Sequence, residues 1–281
     1  MRTLGIIGGS GVYDVPGFEV VSRRSLDTPY GSPSGPLVEA RSHEYRLVFI
    51  PRHGNGHDIP PHAVNYRANI CAMKMAGVEQ ILSISAVGSM QEDIVPGHMV
   101  VVDQYIDMTK RREGTFFDPG LVAHVSMADP VCPHLAAVAA QAGEASGLTV
   151  HRGGTYLCID GPQFSTRAES RLYRSWGISV IGMTALPEAK LAREAELPYS
   201  TVAFATDYDC WHEAAADVSV DAVLSVLKQN AAAAQKLIRL VAEALPDPQK
   251  SPASRALQGS LITKDSSKGG GARARLAWLL G

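Results

Sequence analysis

Few cysteines, no long apolar run and no excess of positive charge set this sequence apart from several classes of protein. Its four cysteines, Cys71, Cys132, Cys158 and Cys210, lack the paired spacing of metal sites. We favour free, mostly buried thiols over a disulfide formed in an unusual cytosol. No apolar run is long enough for a membrane span, and a net charge of -2 disfavours a dedicated nucleic-acid binder.

The start of the chain also lacks a secretion signal. Met1-Arg2-Thr3-Leu4 leads at once into an apolar stretch with no cleavage pattern behind it. We therefore expect a cytoplasmic protein. From the charge, the apolar runs and the cysteine spacing together, we expect that it binds neither nucleic acid nor membrane and holds no metal. We also expect no bound cofactor.

The sequence does contain an alternation of short apolar runs and helical patterns over its first 245 residues. The alternation predicts a single α/β domain, and the Val, Ile, Leu and Ala content of the runs predicts strands covered on both faces. Strands are predicted at residues 4–7, 47–51, 80–84, 99–102, 155–159, 180–183 and 200–205. Helices are predicted at residues 64–76, 133–145, 165–176, 187–194 and 220–245, with Ser165 as a cap.

Composition changes near residue 248. Residues 249–281 carry six Lys or Arg and one acid, with a flexible Gly- and Ser-containing stretch. We assign residues 1–248 to the main domain and 249–281 to a basic tail. We expect the tail to be solvated, with docking on a neighbouring subunit as the alternative, and a short helix at residues 272–280.

Residues 199–211 end an apolar, strand-like run in two acids, Asp207 and Asp209. In open α/β sheets ligands bind beyond the carboxyl ends of strands, so both are candidate ligand groups. A carboxylic acid beside a purine can donate a proton to N7 and accept a hydrogen bond from a 6-amino group. The alternative is that the acids begin a turn or cap a helix, where Asp is favoured. This stretch alone does not decide between the two.

Groups suited to an anion follow four other predicted strands. They are Ser10 in a Gly-Gly-Ser-Gly turn, the pair Arg52 and His53, the pair Ser85 and Ala86, and Thr184. The glycine turn matches neither the dinucleotide fingerprint nor the P-loop. Any one of these groups alone would indicate a turn or surface charge. Because the ends of parallel strands meet at one edge of a sheet, together they predict a phosphate site.

Eight motifs in order resemble the S-methyl-5′-thioadenosine phosphorylases of the trimeric purine nucleoside phosphorylase family. They are GIIGGSG at 5–11, TPYG at 28–31, RHG at 52–54, VNYRAN at 64–69, SAVGS at 85–89, GPQFSTRAES at 161–170, GMTALPE at 182–188 and TDYD at 206–209. The resemblance covers residues 4–245. It implies a mixed β-sheet with a distorted barrel flanked by helices.

The resemblance also implies a reaction, the phosphorolysis of methylthioadenosine to adenine and 5-methylthioribose 1-phosphate, with inorganic phosphate as co-substrate. It assigns phosphate binding to Ser10, Arg52, His53, Ser85, Ala86 and Thr184. It assigns purine and ribose contacts to Phe164, Ser165, Met183, Asp207 and Asp209, with Asp207 as general acid. It assigns the 5′-methylthio pocket to Val220, Val223 and His124, the last from an adjacent subunit, which implies a homotrimer or hexamer.

One departure from the family pattern and several alternatives remain. Gln163 stands where Arg is common in the family, which puts contacts near Phe164 in doubt. The family's 6-oxopurine enzymes carry Glu where this chain has Ser165 and Asn where it has Asp207, so adenine is favoured over the alternative of 6-oxopurine or methylthioinosine substrates. A non-catalytic nucleotide-binding module and a nicotinamide-dependent oxidoreductase are the more distant alternatives.

Overall fold

The computed structural model describes residues 1–9, 15–213, 219–263 and 270–280. Within them eleven strands form one mixed sheet. The strands are β1 (Arg2–Gly8), β2 (Glu19–Arg24), β3 (Leu37–Arg41), β4 (Tyr45–Pro51), β5 (Gln80–Ser89), β6 (Met99–Val101), β7 (Gln104–Asp107), β8 (Val150–Arg152), β9 (Thr155–Cys158), β10 (Val180–Gly182) and β11 (Tyr199–Asp207). The α-helices are α1 (Tyr66–Met75), α2 (Pro133–Ala145), α3 (Arg167–Ser175), α4 (Glu188–Glu194), α5 (Val220–Glu243), α6 (Gly270–Arg275) and α7 (Ala277–Leu280).

Parallel strands form the centre of the sheet. Strand β1 lies between β4 and β5 and is parallel to both, and β11 pairs with the other edge of β5. One buried apolar cluster contains residues of α1 and α4, and a second contains residues of α2 and α5. Within β1, Ile6 belongs to the second cluster and Ile7 to the first, because successive side chains of a strand point to opposite faces. The predicted burial of these strands on both faces is confirmed.

One expectation about the sheet is wrong. Strand β10 runs antiparallel to β5, with Val180 opposite Ser89 and Ile181 opposite Gly88, so the strand ends do not all belong to a parallel sheet. Four strands also escaped prediction, namely β2, β3, β7 and β8. Strand β2 is largely exposed and charged, so it lacks the apolar run used to find strands.

The predicted helices are all present, and all but α2 have shifted ends. Helix α2 has the predicted bounds, beginning at Pro133 as helices tolerate. Helix α3 is capped by Thr166, not by Ser165. The Thr166 side chain accepts a hydrogen bond from the Glu169 N–H, and the Glu169 carboxylate accepts one from the Thr166 N–H, which completes a capping box.

Part of the tail, residues 249–281, packs against the main domain. Ala272 and Leu276 lie in the buried cluster that contains α1 and α4. The Trp278 ring lies 4.9 Å from that of Phe116 and 6.2 Å from that of Tyr30. The expected helix at 272–280 appears as α6 and α7. The expectation of a solvated tail is therefore wrong for these residues.

One expectation about composition is confirmed. All four cysteines are free, and Cys71, Cys132 and Cys158 are buried while Cys210 is partly exposed. No helix in the described ranges is long and apolar enough to cross a membrane.

Candidate active site

A buried ion pair joins the end of β4 to the start of α4. Arg52, 2% exposed, donates from Nε to Oε2 of Glu188 at 2.8 Å and from Nη2 to Oε1 at 3.0 Å. The Glu188 carboxylate is fully buried and also accepts from the hydroxyls of Ser83 and Tyr199 at 2.8 and 2.9 Å. Burial opposes the charge on Arg52, but the negative charge of Glu188 raises the pKa of Arg52 above its ordinary value. The guanidinium is therefore a fixed, permanently charged part of the site.

Most of the five N–H donors of Arg52 are already used. Besides Glu188, Nη2 donates to the Ile7 carbonyl at 3.1 Å and to the Ser83 hydroxyl at 2.8 Å, and Nη1 donates to the Ile84 carbonyl at 3.0 Å. Since Nη1 carries two hydrogens and has one acceptor among the residues that the structure describes, its second N–H can serve a ligand. Glu188 was not among the site residues predicted from the sequence, because an acid after Pro at the start of a helix is typical of a residue that matches the helix dipole.

His53 follows Arg52 and is held as a neutral ring. It is 8% exposed, its Nδ1 lies 2.9 Å from the Ile59 carbonyl, and its ring stacks on that of His57 at 4.5 Å. Burial, followed by the positive charge of Arg52, lowers the pKa of His53 to about 4. With Nδ1 donating to Ile59, Nε2 carries the lone pair and serves as an acceptor.

Two hydroxyls of the predicted phosphate site meet directly. The Ser85 Oγ and Thr184 Oγ1 atoms lie 3.0 Å apart, and the Tyr156 hydroxyl lies 3.4 Å from Thr184 Oγ1. Strand β10 pairs antiparallel with the end of β5, with Ile181 opposite Gly88, and it ends at Gly182. Thr184 lies in the segment between β10 and α4, where its hydroxyl meets that of Ser85. Ala86, next to Ser85, is half-buried in the same strand.

The two acids lie at the end of β11, beside the last residues of β5. Asp207 closes β11 opposite Gly88, where the register of β11 and β5 shifts by one residue. Its Oδ1 accepts from the Asp209 N–H at 2.8 Å and its Oδ2 from the Thr206 hydroxyl at 2.7 Å. The first of these bonds forms an Asx turn, so the turn that was the alternative interpretation is present as well.

Both carboxyls favour the protonated form more than an exposed acid does. Burial raises the pKa of Asp207, hydrogen bonds from Thr206 and Asp209 oppose the shift, and the neighbouring carboxyl of Asp209 adds to it. Burial likewise raises the pKa of Asp209, which is 6% exposed. Asp209 has a φ of 52°, in the left-handed region that Asp tolerates.

Gly88 has no side chain, which leaves space beside β5 for the side chains of Asp207 and Asp209. A Cβ at this position would lie 3.0 Å from Oδ1 of Asp207, 3.1 Å from Ile181 and 3.3 Å from Cβ of Asp209. Along β5, Gly88 is three residues from Ser85, which corresponds to about 10 Å at the rise of a strand. The site thus has hydroxyl and arginine groups at one end and two protonatable carboxyls at the other.

The remaining candidates line this region less closely or lie elsewhere. Phe164 is 44% exposed, and Ser165 is half-buried next to Cys210, whose thiol contacts the Ser165 carbonyl at 3.3 Å. The Met183 carbonyl accepts from Arg112 at 2.8 Å. At the start of α5, Val220 is exposed and Val223 half-buried. Ser10 lies outside the described residues.

His124 is exposed on a segment that pairs with the tail. Its N–H donates to the Ser260 carbonyl at 3.0 Å, and it lines a surface cavity of about 350 Å³ with Arg193 and Arg255. Within the described chain it makes no hydrogen bond or ion pair with another candidate. The described residues also contain no cluster of three His, Cys, Asp or Glu that could hold a metal ion.

Comparison with known proteins gives one consistent result. Residues 3–244 match the family model described as the phosphorylase superfamily. The S-methyl-5′-thioadenosine phosphorylase of Geobacter sulfurreducens is 51% identical over 281 residues, covering 100% of this chain and 98% of that protein. That of Rhodospirillum rubrum is 49% identical, covering 99% and 96%.

Similar solved structures are also methylthioadenosine phosphorylases. A crystal structure of methylthioadenosine phosphorylase from an antarctic soil metagenomic library superimposes with a TM-score of 0.94 at 45% identity, covering 100% of this chain and 99% of that one. The methylthioadenosine phosphorylase of Schistosoma mansoni in complex with adenine superimposes with a TM-score of 0.88 at 36% identity, covering 92% and 99%.

Proposed function

This chain belongs to the phosphorylase superfamily, together with S-methyl-5′-thioadenosine phosphorylases, and from this we propose that it cleaves S-methyl-5′-thioadenosine with inorganic phosphate. The products are adenine and 5-methylthioribose 1-phosphate. One observation carries the proposal. Asp207, a carboxyl with a raised pKa, lies opposite Gly88 of β5, and the same strand carries Ser85, whose hydroxyl meets that of Thr184.

Asp207 acts on the leaving base. Breaking the C1′–N9 bond puts negative charge on the purine, which is a poor leaving group unless N7 is protonated. A carboxylic acid can donate that proton only if it keeps it near neutral pH, which burial favours in Asp207. The Asp209 N–H and the Thr206 hydroxyl fix both carboxyl oxygens, so the acid has a defined orientation.

Phosphate binds at the opposite end. Ser85, Ala86 and Thr184 supply hydroxyl and amide donors, Arg52 supplies one Nη1 N–H, and Ser10 supplies a further hydroxyl. His53 is neutral, so its acceptor nitrogen suits a protonated phosphate oxygen. The bound oxyanion stabilises the positive charge that develops on the pentose and then attacks C1′. Holding both reactants in one site lowers much of the barrier.

Specificity for adenine follows from the acids. Asp207 donates to N7, and Asp209, with Phe164 and Ser165 beside it, completes the base pocket. A 6-oxopurine would leave a buried polar group unpaired, which costs up to about 10⁴-fold in discrimination. The apolar 5′ pocket of Val220 and Val223 discriminates less, by about 10–200-fold between methylthio and hydroxyl.

The proposal includes an oligomer and a compartment. His124 is exposed, as expected of a residue that completes the 5′ pocket of an adjacent subunit in a homotrimer or hexamer. The free thiols of all four cysteines suit the reducing cytoplasm, which we propose as the compartment.

The test is base release from several nucleosides with and without phosphate. We expect adenine from methylthioadenosine only when phosphate is present, and much slower release of hypoxanthine from inosine or methylthioinosine. Faster cleavage of either 6-oxopurine nucleoside contradicts the adenine assignment. Cleavage that does not depend on phosphate contradicts phosphorolysis.

A further inference from the structure

Arg112, which the sequence analysis did not single out, connects two loops next to the candidate site. Its side chain is 2% exposed. From Nη1 it donates to the carbonyls of Met183 at 2.8 Å and Leu186 at 2.6 Å, and from Nη2 to those of Ile159 at 3.2 Å and Asp160 at 2.7 Å. One guanidinium therefore holds the loop after β9 against the loop between β10 and α4.

Further contacts fix the guanidinium itself. Nη1 also donates to the Tyr66 hydroxyl at 2.9 Å, and the Arg112 guanidinium lies over the Tyr66 ring at 5.3 Å. Nε lies 3.4 Å from Oδ1 of Asp160. Only a planar fork with donors on opposite edges reaches carbonyls of both loops at once, and a lysine ammonium does not.

The contacts of Arg112 fix the position of the Met183 backbone. Its carbonyl accepts from Arg112. Its N–H donates to no backbone carbonyl among the residues that the structure describes. The next residue, Thr184, is held by Ser85 and Tyr156. The Met183 N–H is thus an unused donor whose direction is set by contacts on either side of it.

We propose that Arg112 is a positioning residue that aims the Met183 N–H at the hydroxyls of the substrate pentose. The inference rests on the proposed function, because it needs a ribosyl substrate in this site. Arg112 itself touches neither reactant. It holds the Met183 carbonyl on one side, and on the other it holds Ile159, whose N–H donates at 2.9 Å to the Gly182 carbonyl in the same peptide as the Met183 N–H. A peptide displaced by about 1 Å can lower the rate by about 10²-fold.

The test compares Arg112→Lys with the unmodified chain on two substrates, methylthioadenosine and its 2′-deoxy analogue. We expect the variant to lower kcat/KM for methylthioadenosine by about 10–100-fold. We expect a fall of less than about threefold for the deoxy analogue, which lacks the hydroxyl that the donor serves. The ratio of the two kcat/KM values therefore shrinks. An equal fall for both substrates means a merely structural role and overturns the proposal.

Arg46→Lys is the matched control. Arg46 donates to the Ala76 carbonyl at 2.8 Å and to Glu39 at 2.7 Å, with a side chain 16% exposed, and contacts no site candidate. It should leave the substrate ratio as in the unmodified chain. A ratio that shrinks as much in Arg46→Lys as in Arg112→Lys also overturns the proposal.

Asp160→Asn covers the case in which Arg112→Lys does not fold. Asp160 is 31% exposed, so its replacement is tolerated, and the change weakens the hold on Nε. We expect a smaller shrinkage of the ratio, and an unchanged ratio overturns the proposal. Phosphate-dependent adenine release by the unmodified chain is measured first. If it is absent, the proposed function fails and the inference with it; if it is present with unchanged ratios, only the role of Arg112 fails.

Discussion

The hydroxyl oxygens of Ser85 and Thr184 lie 3.0 Å apart, although Ser85 belongs to β5 and Thr184 follows β10, a strand that runs antiparallel to β5. Their contact joins the last turn of the chain before α4 to the middle of β5. Because Asp207 closes the strand on the other side of β5, the same strand fixes the separation between the anion end and the acid end of the site.

Replacing Asp207 by Asn removes the proposed proton donor while keeping its size. We expect kcat to fall by about 10²–10⁴-fold with a smaller change in KM. In the unmodified chain, activity should decrease as the pH rises through the raised pKa of Asp207, because only the protonated form donates. The variant should lack this alkaline decrease. Steady-state kinetics across pH check both points, and a variant with unchanged kcat removes Asp207 from the mechanism.

Gly88→Ala tests whether the acids need the space beside β5. The added methyl would meet Oδ1 of Asp207 at 3.0 Å, so the carboxyl must move. We expect kcat/KM to drop by about 10-fold or more, since small misplacement of a reacting group is costly. The control is Gly56→Ala, where a Cβ meets nothing within 4 Å. Similar losses in both variants would contradict this account.

Glu188→Gln tests the buried ion pair. Neutralising Glu188 leaves the Arg52 charge buried without its partner, and we expect the free energy of unfolding to fall by about 3–5 kcal/mol. The KM for phosphate should rise as well, because Glu188 holds the guanidinium in place. Urea unfolding and phosphate titration measure the two effects.

The matched control is Glu144→Gln, which breaks an exposed pair with Arg152 whose side chains are about half exposed. Pairs of this kind contribute at most about 1 kcal/mol. Equal losses of stability in the two variants would show that the Arg52–Glu188 pair is no more important than a surface contact.

His53 makes stability depend on pH. Its pKa is lowered to about 4, so the folded chain binds fewer protons than the unfolded chain between about pH 4 and the ordinary value of 6.5. The contribution is therefore fully present above pH 6.5 and is lost as the pH falls through about 4, by up to about 3 kcal/mol. In phosphate-free buffer, urea unfolding at about pH 7.5 and about pH 4.5 should show this loss.

His53→Gln should reduce that difference between the two pH values, because Gln does not titrate. Exposed His43→Gln is the control and should leave the difference as in the unmodified chain. If the two variants behave alike, burial of His53 is not the source of the pH dependence.

The sequence predicted the parts of the fold whose residues have a strong local pattern. Helix α2 begins at Pro133 and has a run of apolar residues, and its bounds were found without error. Strand β2 was missed because its side chains face solvent and carry charge. The direction of β10 was also missed, since a strand of three residues has the same apolar pattern in either direction.

The site was predicted as a set of residues but not as an arrangement. Ser85 and Thr184 were both named from motifs, yet their contact depends on how the segment after β10 folds against β5, which no local pattern encodes. Glu188 and Arg112 were missed for a related reason. Each acts through partners distant in sequence, Arg52 for one and Met183 for the other, and a charged residue shows its partner only after the chain has folded.

Leu276 is 1% exposed in the cluster shared with α1 and α4, so the last helices form part of the packed body. An affinity tag or fusion partner joined at the C-terminus would start directly from a docked helix and strain its packing. Purification handles are better placed at the N-terminus or behind a long flexible spacer, and shortened versions of the chain that omit residues 270–281 would lose a segment of the hydrophobic interior.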